Sequence, residues 1–203
     1  MKMLRMAVLA AATLAAAPLA AQEHGQHGQQ APADHADHHA GPPPYIAAIA
    51  GDLAGVERKL IALAEAIPEE RWDWRPGAGV RSIGEVFMHI AADNYFFPAM
   101  VGEQAPAETG IRGDDFNTAV AYERREMNKA QTIEALRASF AFLHEHVGAV
   151  SHDELHATHS FFGNQMTGIQ IWLAATTHLH EHLGQSIAYA RSVGVTPPWS
   201  NGN

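Results

Sequence analysis

Cysteine is absent from all 203 residues. Disulfides, thiolate metal ligands and a cysteine nucleophile are therefore excluded together. Basic side chains are few: 13 Lys and Arg stand against 22 Asp and Glu, a formal net charge of -9. A nucleic-acid binder needs a basic surface, so no nucleic-acid partner is expected, and the same charge argues against adhesion to anionic membranes. Beyond the first residues no stretch has the ~18 uninterrupted apolar side chains of a membrane span. Strand-like alternation and internal repeats are missing, as are a carboxylate pair, a Ser-His-Asp arrangement and a phosphate-binding loop.

Histidine is plentiful instead, with 14 residues, and the chain divides by composition. Lys2 and Arg5 open it, Met6 to Ala17 is apolar, and Ala17-Pro18-Leu19-Ala20-Ala21 supplies small residues. Residues 1–21 thus read as a signal peptide cleaved after Ala21, and the expected destination is periplasmic or extracellular. Removing them leaves 11 basic against 22 acidic side chains. Residues 22–44 carry His24, His27, His35, His38 and His39 among Gln, Gly, Ala, Asp and Pro, without apolar periodicity. They are expected to be a disordered His-rich linker, either a labile metal-gathering tail or simply solvated. Residues 45–199 remain as one domain, followed by a short tail at 200–203.

Within that domain the apolar period is helical. The first helix is expected over Tyr45 to Ile67, with Ile46, Ile49, Leu53, Val56, Leu60, Leu63 and Ile67 inward and Pro68 ending it. A Pro- and Gly-punctuated loop with Trp72 and Trp74 follows, the two indoles covering one end of the core. Ser82-Ile83-Gly84-Glu85 is a capping box that opens a helix from Ile83 to about Phe97, where Pro98 should break it. Ile83, Val86, Phe87 and Ile90 form its apolar stripe, with Glu85, His89 and Asp93 on a polar stripe beside it. A short helix is expected over Phe116 to Met127 and a long one over Ile133 to Val150, its core stripe being Ile133, Leu136, Phe140, Leu143 and Val147. Ser151 to Thr167 reads as a loop. Gly168 to Val193 is the last long helix, burying Ile169, Trp172, Leu173, Thr176, Leu179, Leu183 and Ile187. Four long amphipathic helices imply an all-α four-helix bundle.

The chemistry concentrates at Thr177 to Gln185, where three histidines fall within five residues. At ~100° per residue, His178 and His182 share one face, while His180 points the opposite way to the surface. An i, i+4 imidazole pair can hold one metal ion if other groups complete the site. Ile171, Ala175, His178, His182, Gln185 and Tyr189 form a stripe at the edge of the core, and His89 holds a matching edge on its own helix. If the two helices face each other, three imidazoles converge, an arrangement that leaves positions open for water or substrate. Glu85 and Asp93 can orient His89 by hydrogen bonding, although Glu85 serves equally as a cap and Asp93 as a solvated residue. Gln185 can reach a metal-bound water or bridge helices. His144, His146, His152, His156 and His159 cluster around the end of the Ile133–Val150 helix and the next loop, and His156 or His159 are candidates for the open face.

Ser82-Ile83-Gly84-Glu85-x-x-x-His89 followed by His178-x-x-x-His182-x-Gly184-Gln185 resembles the DinB-like superfamily of metal-binding four-helix bundles. Trp74-Arg75-Pro76 and Gly194-x-x-Pro197-Pro198 extend the likeness, which covers Tyr45 to Trp199. The resemblance implies a divalent metal held by His89, His178 and His182, with hydrolase or thiol-dependent transferase chemistry on a small molecule. It also allows pairing of bundles into a homodimer. Leu183 stands where the family often has Arg, which removes one basis for expecting an anionic substrate. Imidazole donors suit zinc or nickel first, with iron or copper also compatible. The competing reading is a non-enzymatic exported metal-binding or stress-related protein whose His-rich tail gathers metal.

Overall fold

The computed structural model describes residues 43–161 and 163–200. The expected signal peptide over 1–21, nearly all of the His-rich stretch 22–44 and most of the tail 200–203 lie outside them. Four long helices form the body: α1 (Pro44–Ala66), α2 (Ile83–Met100), α4 (Lys129–Ala149) and α6 (Gly168–Ser192). Two shorter ones, α3 (Phe116–Glu123) and α5 (His152–His156), and a hairpin of β1 (Thr158–Phe161) and β2 (Asn164–Thr167) complete it. The body is a four-helix bundle, as expected from the four amphipathic stripes. Helices α4 and α6 each pack against both α1 and α2, so α1 and α2 face each other across the core rather than side by side.

Local chemistry starts each helix where the sequence allows. Pro44 occupies the first position of α1, where a missing N–H costs nothing. Ser82 and Glu85 close the capping box of α2, and Asn128 with Gln131 does the same for α4. Lys129 then reaches back to the carbonyls of Glu65 and Ile67, placing a cation at the end of α1. Trp72 stacks on Phe87 at 5.4 Å and Trp74 meets Tyr189 edge-on at 5.4 Å, so the indoles do cap core side chains. A buried hydrogen bond of 3.0 Å from Asn94 Nδ2 to Ser139 Oγ ties α2 to α4.

Four expectations need correction. Every residue of α2 except Glu85 is buried, so its polar stripe is covered and not solvated. This follows from its surroundings, since α2 packs against α3, α4, α6 and β1. The helix also runs one turn further than Phe97, because Pro98 falls in the last turn, where few bonds are lost. The buried face of α6 is rotated: Ile171, Ala175, Ser186 and Tyr189 are buried, whereas Leu173 is 48% exposed. Contact with both α1 and α2 turns the histidine stripe inward. Finally, Ser151 to Thr167 contains α5 and a hairpin with register Thr158↔Thr167 to Phe161↔Asn164. Its strands are too exposed to show apolar alternation, and the turn is marked by Gly163 at φ 79°.

Two glycines test this packing in opposite directions. A Cβ on Gly84 would lie 2.4 Å from the indole nitrogen of Trp72, whereas one on Gly51, within α1, meets nothing within 4 Å. Gly84→Ala should therefore lower stability by about 1–3 kcal/mol, the usual cost of overpacking. Gly51→Ala should raise it by about 0.5–1 kcal/mol through helix propensity. Urea unfolding of the two variants measures both signs.

Candidate metal centre

Helices α2 and α6 bring His89, His178 and His182 together, with one potential ligand atom from each lying within 4.8 Å of the others. Their rings are mutually steep, with centroids 4.4 to 5.0 Å apart. Phe97 closes one side, its ring 5.6 Å from that of His178. The i, i+4 spacing on α6 provides two of the rings and the buried stripe of α2 the third.

Each ring is oriented by its neighbours. His89 Nδ1 lies 3.0 Å from Glu123 Oε2, and the carboxylate is also bound by Arg81 through Nε and Nη2. Burial pushes the Glu123 carboxyl up, but hydrogen bonds from His89 and Arg81 outweigh it and hold the group down at about 2. Glu123 is thus an anion that only accepts, so His89 donates to it from Nδ1, with Nε2 on the side of Asp93. Gln185 donates from Nε2 to the Tyr189 hydroxyl at 3.1 Å, which turns its oxygen to His182 Nδ1 at 2.7 Å. His182 therefore also carries its proton on Nδ1 and presents Nε2. Burial, then the adjacent His178, lowers the His182 pKa to about 4, which keeps this ring neutral.

His178 differs. Its Nε2 is buried without a hydrogen-bond partner although Asp93 Oδ2 is only 2.8 Å away, so the pair is close but misaligned. The same oxygen is 3.4 Å from His89 Nε2. An orphaned buried nitrogen in a cluster of three imidazoles, two of them hydrogen-bonded through their other nitrogen, fits a divalent ion, since this is a common donor set.

The other candidates fall into distinct places. Glu85 accepts from the Ser82 amide at 2.6 Å and from Arg75 at 3.1 Å, at the head of α2. Asp93 is buried against the histidine cluster, and Gln185 orients His182. His180 points away and pairs with Asp52 of α1 at 2.7 Å. His144 pairs with Glu57 at 2.8 Å and His146 with Glu103 at 2.9 Å. His152 and His156 lie against one another on α5, their rings tilted by 50° with centroids 4.4 Å apart, and His159 lines a groove beside the end of α2. Among the described residues none of these five joins the cluster. Sequence reasoning missed Glu123. Its position one turn beyond the buried Ala119 could have placed it on the inner side of α3, but nothing local could say that His89 lies opposite.

Residues 52–186 match the sequence profile of the DinB superfamily. Solved structures of similar fold include YjoA, a DinB-like protein from Bacillus subtilis, 17% identical with a TM-score of 0.57 over 73% of this chain and 93% of that one. A DinB-like protein from Bacillus cereus ATCC 10987 is 14% identical with a TM-score of 0.60, over 75% and 95%. YfiT from Bacillus subtilis, described as a probable metal-dependent hydrolase with an unusual four-helix bundle topology, is 17% identical with a TM-score of 0.56, over 74% and 89%. At these identities the likeness concerns the fold. No protein of curated function matches the chain.

Glu123→Ala would leave donors on Arg81 and His89 without their acceptor. The expected loss is about 1–3 kcal/mol of stability in metal-free protein and a roughly 10- to 100-fold loss of metal affinity. Urea unfolding and chelator competition measure the two, and an unchanged affinity would remove Glu123 from the centre.

Proposed function

Given that this chain belongs to the DinB superfamily, we propose that it is a divalent-metal-dependent enzyme acting on a small molecule, with His89, His178 and His182 as metal ligands. The observation that carries this reading is the convergence of three imidazoles, two of which, His89 and His182, have their outer nitrogens tied off at Glu123 and Gln185. A divalent ion held there would lower the pKa of a bound water or thiol and polarise a substrate oxygen. The residues around it prepare the site. Glu123 and Gln185 fix which nitrogens face inward, and Phe97 limits water on one side. Hydrolysis is favoured over thiol-dependent transfer, since the sequence of residues 1–21 argues for export, away from cytosolic thiol cofactors. Description of YfiT as a probable metal-dependent hydrolase supports the same class. Zinc or nickel is the first choice of ion, and a homodimer is the assembly to test.

Five histidines within residues 22–44 favour a second reading, in which the protein gathers or senses metal without turnover. Deleting that stretch distinguishes the two. Storage predicts fewer metal equivalents per chain, whereas catalysis predicts unchanged turnover.

The ligand assignment is tested by metal quantification on chelator-washed, tagless protein reloaded with zinc. Wild type and His180→Ala should retain one tightly bound ion per chain in the domain, and His89→Ala, His178→Ala and His182→Ala should each lose it. Equal retention by His178→Ala would overturn the assignment.

A further inference from the structure

We propose that the Asp93 carboxylate is a fourth protein ligand, so that the centre is a three-imidazole, one-carboxylate site. This rests on the three-histidine reading and adds a donor to it. Asp93 follows His89 by one turn of α2, just as His182 follows His178 on α6, so two i, i+4 pairs face each other across the helix interface.

Distances favour ligation over a hydrogen-bonding role. Donors about 2.1 Å from a common ion stand roughly 3.4 Å apart on a tetrahedron and roughly 3.0 Å apart on an octahedron. Asp93 Oδ2 lies 2.8 Å from His178 Nε2 and 3.4 Å from His89 Nε2, which are edges of that size. Hydrogen bonding does not account for either contact. His178 Nε2 has no aligned partner, and His89 makes its hydrogen bond to Glu123 through the other nitrogen. A cation between His89 Nε2 and Asp93 Oδ2 would be bonded by both atoms. Asp93 is also 6% exposed, and a carboxylate at that depth needs a positive partner. Arg81 is committed to Glu123.

The added oxygen donor has consequences for the ion and its use. Mixed nitrogen and carboxylate ligation suits iron, manganese, cobalt or zinc better than a purely imidazole set would. Four protein donors also close a tetrahedral ion, so turnover requires a five- or six-coordinate one with a position left for substrate. The coordination number therefore separates an enzyme from a closed metal store.

Cobalt(II) reports this directly, and the lack of cysteine makes the test clean. Full-length protein is loaded with cobalt(II) as wild type, Asp93→Asn, Asp93→Cys and His178→Ala. Ligation by Asp93 predicts that Asp93→Asn shifts the visible cobalt bands and weakens binding roughly 10- to 100-fold. Asp93→Cys should add a sulfur-to-cobalt charge-transfer band, which no other side chain of this chain can supply. Unchanged bands in Asp93→Asn, or no charge-transfer band in a folded Asp93→Cys that still binds cobalt, overturns the proposal. If His178→Ala instead keeps the wild-type spectrum, the three-histidine reading itself fails, a result distinct from failure at Asp93 alone.

Discussion

Helix α2 must hold one register against α6 for the centre to exist. One helical turn advances about 5.4 Å, more than the 4.8 Å within which the ring nitrogens of His89, His178 and His182 lie. A slip of a single turn would therefore disperse them. The register is held by groups that are not part of the site. Phe87 is locked under Trp72, and the indole lies so close to Gly84 that a side chain there would displace it. Asn94 is hydrogen-bonded to Ser139 of α4, and Trp172 is almost fully buried on α6. An apolar lattice of this kind positions polar residues without using them.

Burial explains the electrostatics as well. Three imidazoles with centroids 4.4 to 5.0 Å apart cannot all be charged away from water, and the pKa of His182 falls accordingly. A neutral His182 repels neither its neighbours nor an entering cation. Two of the rings have their outer N–H bound, one by the anion of Glu123 and one by the Gln185 amide oxygen. Asp93 stands among these rings, its Oδ2 2.8 Å from His178 Nε2 and 3.4 Å from His89 Nε2, and these distances are the strongest geometric support for a cation-binding arrangement.

Much of this was legible in the chain itself. The helix stripes, the capping box at Ser82, and the separation of His178 and His182 from His180 all follow from local sequence pattern. His89 was identifiable as an edge residue, but its meeting with α6 depended on tertiary packing that no window of sequence contains. The same limit hid Glu123, 34 positions from His89, and led Asp93 to be read as either solvated or orienting. Rotation of α6 toward Ile171 and Tyr189 escaped notice because a helix with two packed flanks has no single best face. The hairpin after α5 escaped because exposed strands need not alternate.

X-ray absorption on the zinc-loaded full-length protein tests the central claim most directly. One ion per chain with three imidazoles at about 2.0–2.1 Å is the predicted first shell, lost on substitution of His178. A shell with fewer than three imidazoles, or an ion that leaves when residues 22–44 are deleted, would contradict it.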